Sequence, residues 1–140
     1  MQHTSVGQSI RNLSNLIRRR LDVSSSNGNM SGSQGRVLHY ILAQTYALYQ
    51  KDIEEEFHLR PSTASGILKL MEKNELIQRV NAPNDHRLKC ILVTEKGASM
   101  KQQVMHDVQN MEDDLVKGID AHKLQIFLEV VQQMEKNLSA

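Results

Sequence analysis

Apolar side chains recur every three or four residues through most of this chain and alternate in one short region, a mainly α pattern with one small hairpin. From Ser5 to Leu21 the stripe is Val6, Ile10, Leu13, Ile17 and Leu21, which predicts a first helix. A second is predicted over Gln34 to Leu48, with Ser33 as N-cap and Val37, Leu38, Ile41 and Leu42 inward. Gln50 to Phe57 reads as a short amphipathic helix that turns Ile53, Phe57 and Leu59 inward. His58-Leu59-Arg60 has the length that joins two crossed helices, and Pro61 suits the first position of the helix that follows. That helix, Pro61 to Asn74, turns Ala64, Ile67, Leu68 and Met71 inward. Leu76 to Val80 and Lys89 to Val93 then alternate as paired strands, around an exposed tip at Asn81 to Leu88. Helix, turn, helix and β-hairpin in succession make a winged helix-turn-helix.

Two more helices complete the pattern. Thr94 can cap the first, whose stripe of Met100, Val104, Val108, Met111 and Leu115 runs on to Lys117. Gly118-Ile119-Asp120 breaks the repeat, and Asp120 can cap a last helix lined by Leu124, Phe127, Leu128, Val131, Met134 and Leu138. Asp22 to Gly35, rich in Ser, Asn and Gly with a turn dipeptide at Asn27-Gly28, reads as a loop. No repeat of 20–50 residues is present. The expected organisation is the winged helix-turn-helix unit at residues 35–93 between dimerisation helices at 1–34 and 94–140. The reason is area. Terminal stripes of about 20 residues run roughly 30 Å, too much for so small a lobe to cover, and a second copy would cover them by symmetric packing.

The outward face of the 61–74 helix carries the candidate chemistry. Ser62, Ser65 and Gly66, then Lys69 and Lys73, replace the long charged pairs of an ordinary solvated face. A small, hydroxyl-bearing helix start can be pressed against another surface, and lysines behind it suit an anionic one. An arginine at a hairpin tip, Arg87, can enter a narrow minor groove, where Asp85 can fix it or the neighbouring Arg79 by bidentate pairing. Arg36 opposes the helix dipole in its own first turn, so a phosphate partner and an ordinary surface arginine both remain open. Arg18-Arg19-Arg20 reads first as a solvated helix end matched to the dipole, with a phosphate contact as the second reading. Lys73 and Lys89 suit phosphate steering or plain solvation.

Global composition adds little to this. The chain has 140 residues and a net charge of +1, so its charge distribution matters more than its total. Residues 1–50 hold five Lys/Arg against one Asp, and residues 98–140 hold four against seven acids, so the start is basic and the end acidic. Five aromatics and no Trp leave the core to Leu, Ile, Val and Met. One cysteine cannot form an intrachain disulfide, and there is neither a long apolar run nor a signal-peptide pattern. A cytoplasmic protein with no membrane partner is expected. Cys90 reads first as a small buried hydrophobe, and the six scattered histidines lack ligand spacing, so no metal or cofactor is expected. With no G-x-S-x-G, P-loop, HExxH or CxxC, the chain is not expected to be an enzyme.

The segments GSQGRVLHYI, QKDIEEEFHLRPSTASGILKLMEKNELIQRV and NDHRLKCILVTEKG, with the helices after them, resemble the MarR family of bacterial regulators. The most specific elements are STASGILKLMEKNELIQR and the wing signature Asp85-His86-Arg87 leading to Val93-Thr94-Glu95-Lys96-Gly97. The resemblance implies a homodimeric repressor or activator on pseudo-palindromic double-stranded operator DNA, with a repressor expected. It implies the second helix of the motif in the major groove and the wing arginine in the minor groove. Position by position, Ser62, Thr63, Ser65, Gly66 and Lys69 match the reading helix, Arg87 the wing tip and Asp85 its buttress. Ser33, Arg36, Arg60 and Lys89 complete the expected DNA-binding set. The family further implies a small phenolic or lipophilic effector in a cleft beside the dimerisation helices, for which His39, Tyr40 and Tyr46 are candidate lining. The acidic tail keeps a second reading open, a winged-helix protein-interaction module without DNA binding.

Overall fold

The computed structural model describes residues 5–24 and 30–139. Helix α1 (Val6–Ser24) leads to α2 (Gly32–Ala43), then to the short strand β1 (Leu48–Tyr49) and to α3 (Gln50–Glu56). The second helix of the motif, α4 (Pro61–Lys73), is followed by the hairpin of β2 (Ile77–Ala82) and β3 (Asp85–Val93). The chain ends with α5 (Glu95–Ser99), α6 (Lys101–Val116) and α7 (Ala121–Leu138). The three strands form an antiparallel sheet in the order β1-β3-β2.

One core lies beneath the motif. Leu38 of α2, Ile53 of α3, Leu68 and Met71 of α4, and Leu76 and Ile77 at the start of β2 are fully buried there. Phe57, Leu59 and Ile67 pack on its edge. A second cluster joins Leu21 of α1 to Val108 and Met111 of α6, which anchors the C-terminal half of α1. The arginine triplet falls inside α1 rather than closing it, because the helix runs on to Ser24. Arg20 pairs there with Asp114 of α6 at 2.5 Å.

Several boundaries differ from the sequence expectation, each for a local reason. Ser31, not Ser33, caps α2, its hydroxyl accepting the Gln34 N–H at 3.3 Å. The Asp22 carboxylate accepts the Gly32 N–H, and a Cβ at Gly32 would come within 2.8 Å of the Arg18 carbonyl oxygen, so the two helix ends meet closely. The loop expected at 22–35 is correspondingly shorter, and its Asn27-Gly28 turn lies outside the described residues. Helix α2 stops at Ala43 instead of Leu48, because Leu48 and Tyr49 pair with Ile91 and Cys90 and complete the sheet. The helix expected from Thr94 to Lys117 is two, broken at Met100.

Thr94 caps α5 as expected, accepting the Gly97 N–H at 3.0 Å while donating to the Glu75 carbonyl at 2.6 Å. Gly97 sits so close to the Leu76 carbonyl that a Cβ would lie 2.3 Å from its oxygen. These contacts pin α5 against the junction of α4 and β2. Asp120 caps α7, accepting the His122 N–H at 3.3 Å. No residue of α7 is buried, and Phe127 and Leu128 are 50% and 59% exposed.

Candidate nucleic-acid interface

Helix α4 is held by its inner face and leaves its outer face open. Ala64, Leu68 and Met71 are buried, while Ser62, Thr63, Gly66, Lys69, Leu70 and Lys73 are exposed. Pro61 occupies its first position after Arg60, which stands exposed at the cap without a side-chain capping bond. Free N–H groups at such a helix start favour an anion. Ser65 is half-buried and turned toward the hairpin.

Its partner there is Arg79 of β2, which organises the site. The Arg79 guanidinium donates to Glu72 of α4 from Nε at 2.8 Å and lies 2.7 Å from the same carboxylate through Nη2. Nη1 donates to Gln50 of α3 at 2.9 Å and to the Ser65 hydroxyl at 3.2 Å. One partly buried cation thereby ties both helices of the motif to the root of the wing. The sequence reading offered Asp85 as a possible partner for Arg79; the partner is Glu72. The signal was present. Arg79 lies two residues after core-facing Ile77 in an alternating strand, so an inward cation there needs an acid within reach.

The wing departs from a plain ladder at its end. Asn81 pairs with Lys89, but Ala82 pairs with Asp85, so β3 bulges over residues 86–88 beside a two-residue turn at Pro83-Asn84. A bulge re-aims the side chains it carries. The Arg87 side chain is 92% exposed, and the Asp85 carboxylate accepts its backbone N–H at 2.9 Å and its Nε at 3.3 Å. Asp85 therefore fixes both the turn and the direction of the guanidinium, leaving the other guanidinium nitrogens outward. Lys89 is occupied by Asn81 at 2.5 Å.

Ser33 and Arg36 lie elsewhere, in the first and second turns of α2, where they line a cleft of about 770 Å³ together with α1, the turn after α3, Ile67 in the middle of α4, and α7. Ile10, Leu13, Phe57, Ile67, Phe127 and Met134 make most of its wall apolar, and Arg18, Arg36 and Glu135 supply charge. His58 of the motif turn pairs with Glu135 of α7 at 2.9 Å. His39, Tyr40 and Tyr46 are not among the lining residues. The Tyr40 ring packs edge-on against Phe57 at 5.7 Å, and Tyr46 stands exposed beside it. Burial, aided by the neighbouring Tyr46, pushes the Tyr40 phenol above its ordinary value. Burial, then Arg36, lower the His39 pKa against an opposing pull from Glu112. Among the described residues no group of three His, Cys, Asp or Glu could hold a metal, and no helix is long and apolar enough to cross a membrane.

Comparison with known proteins matches this geometry. A sequence model of the MarR family matches residues 28–88, from before α2 to the wing. An uncharacterized HTH-type transcriptional regulator of Bacillus subtilis, YdgJ, is 18% identical over 108 residues, 76% of this chain and 66% of its own length. The fold superposes on S. aureus MepR in a DNA complex with a TM-score of 0.87 at 23% identity, covering 97% of this chain and 100% of that one. A MarR-family regulator from Listeria monocytogenes complexed with 26mer DNA gives 0.83 at 18% identity, covering 97% and 90%. The chain has a winged-helix fold, and its segment 28–88 matches the sequence model of the MarR family.

Proposed function

We propose that this chain is a sequence-specific DNA-binding repressor that grips a pseudo-palindromic operator as a homodimer. The outer face of α4 enters the major groove and Arg87 the adjacent minor groove. The observation that carries the reading is the pairing of these two probes through Arg79. A helix face of hydroxyls, glycine and lysines is bolted to a hairpin whose arginine is aimed outward by Asp85. MepR and the Listeria regulator, which share the fold, are seen on DNA. In this reading Ser62, Thr63, Gly66 and Lys69 face bases and phosphates, Arg60 and the α4 N–H groups hold phosphate, and Ser65 is a strut. Lys89 acts on the backbone through its charge. Ser33 and Arg36 sit in the cleft and are assigned to effector binding instead of DNA. The protein works in the cytoplasm, beside its operator.

The dimer covers the exposed faces of α1 and α7, and two heads then meet half-sites about one helical turn apart or a multiple of it. With the second copy lying along α1 and α7, the part of the cleft left beside α2, at Ser33 and Arg36, takes a small lipophilic effector. Such a ligand weakens DNA binding if it prefers the incompetent head spacing, for which a coupling of about 1–3 kcal/mol suffices.

Fluorescence anisotropy on the promoter fragment beside its own gene tests the core of this. Log affinity is expected to fall linearly with log salt, and Arg87→Ala is expected to lower affinity and flatten that slope by about one. Tight binding untouched by both salt and Arg87→Ala would sink the proposed surface.

A further inference from the structure

Leu70 belongs to neither core cluster of the described residues. It is 50% exposed on the outer face of α4, between lysines at 69 and 73. Single exposed leucines are ordinary, but the setting of this one is not. On an α-helix it stands about 40° round from Gly66, one turn earlier on the same face. Helical side chains lean toward the N-terminus, so Leu70 overhangs the turn that holds Gly66. The space over Gly66 is empty, and a Cβ built there would meet nothing within 4 Å. Glycine is the poorest helix former after proline, and no contact among the described residues requires it at this position. The result is a notch with bare backbone as floor, Leu70 as one wall, and Ser62 and Thr63 at its open end.

The occupant has to satisfy three kinds of group at once. Lys69 and Lys73 ask for negative charge, the hydroxyls for hydrogen-bonding edges, and Leu70 for something small and apolar. The major-groove edge of DNA offers one such apolar group, the thymine 5-methyl, set among base-edge donors and acceptors and flanked by phosphates. We infer that Leu70, overhanging the notch at Gly66, reads the 5-methyl group of a thymine in each half-site. The inference rests on α4 being the groove helix, and it assigns that helix a specificity residue.

Uracil tests this, because it pairs like thymine and lacks the methyl. The full-length protein is used to select duplexes from a random library, and the enriched duplex is remade with deoxyuridine replacing each thymine pair in turn. Wild-type affinity is expected to drop about four-fold for each methyl removed at one symmetry-related pair, the size of one buried methyl-scale contact. The other thymines should be silent. Leu70→Ala, a favourable helix substitution at an exposed site, is expected to bind the thymine and uracil duplexes alike. Gly66→Ala has room in the free protein and is expected to weaken the thymine duplex more than the uracil one. Loss of all binding by Leu70→Ala leaves the assignment to stand or fall on Gly66→Ala. Should no thymine matter, or should both variants keep the wild-type thymine preference, the assignment is overturned while groove reading by α4 survives. Failure to enrich any duplex overturns both.

Discussion

At the scale of single residues, Arg79 and His39 carry the sharpest expectations. The Arg79 side chain is 15% exposed and spends four contacts on Glu72, Gln50 and Ser65. A largely enclosed guanidinium is tolerated because its donors are met, and its loss leaves Glu72, Gln50 and Ser65 without the donor they share. Arg79→Met should lower the unfolding free energy by about 2 kcal/mol, and Glu72→Gln, which keeps an acceptor, by less. Urea denaturation of both variants checks the order, and an unchanged midpoint for Arg79→Met would remove the strut from the account. His39 bears on pH. Its pKa is lowered from 6.5 by burial first and Arg36 second, so the folded chain holds this proton less tightly than the unfolded one. Its contribution is therefore complete above the unfolded value and drains away as pH falls through it toward the lower folded value. His39→Gln should flatten the loss of stability on acidification below about pH 6.5 relative to wild type, read as the difference between their melting temperatures.

At the scale of elements, much of the fold was legible because each helix buries a stripe that repeats with the helical period. Ala64, Leu68 and Met71 placed α4 to within one residue, and Ile77 with Ile91 and Val93 located the hairpin. What stayed hidden depends on partners distant in sequence. Leu48 continues the apolar pattern of α2, and only the unpaired edge of β3 turns it into a strand. Met100 fits a continuous helical stripe, yet α5 is held apart by what Thr94 and Gly97 meet at Glu75 and Leu76. The site divided the same way. Ser62, Gly66, Lys69 and Arg87 follow from face and turn, whereas strand alternation turns Arg79 inward without naming Glu72, Gln50 and Ser65 as what it meets, because that depends on the β2–α4 contact. Gly97 tests that contact. Its Cβ would strike the Leu76 carbonyl oxygen at 2.3 Å, which is backbone and cannot swing aside. Gly97→Ala should therefore cost about 3 kcal/mol, near the top of the range for overpacking. Thr94→Ala should cost about 1 kcal/mol as a lost N-cap. Thermal unfolding ranks the pair, and equal losses would mean that the cap rather than the close approach fixes α5.

At the scale of the whole molecule, the governing fact is a mismatch between apolar surface and cover. Helix α7 has 18 residues and buries none of them, and Val6, Ile10, Leu13 and Leu16 of α1 are exposed as well. Apolar area left in water forfeits about 25 cal/mol per Å², and contiguous patches of this kind mark an interface. The two faces oppose each other across the cleft, so a second copy threading its own α7 alongside would cover both by twofold symmetry. Lysine at positions 127 and 128 places charge on that shared surface twice, once from each copy. The wild type should sediment as a dimer and the double variant Phe127→Lys, Leu128→Lys as a monomer. The reading lobe should keep its fold in the variant, because its core of Leu38, Ile53, Leu68 and Met71 takes nothing from α7. Each head would then bind its half-site alone and lose the high effective concentration its tethered twin supplies, a fall in operator affinity of about 100-fold or more. The two readouts must move together. A variant that becomes monomeric yet keeps full operator affinity would show that one head suffices, and the twofold operator would lose its physical basis.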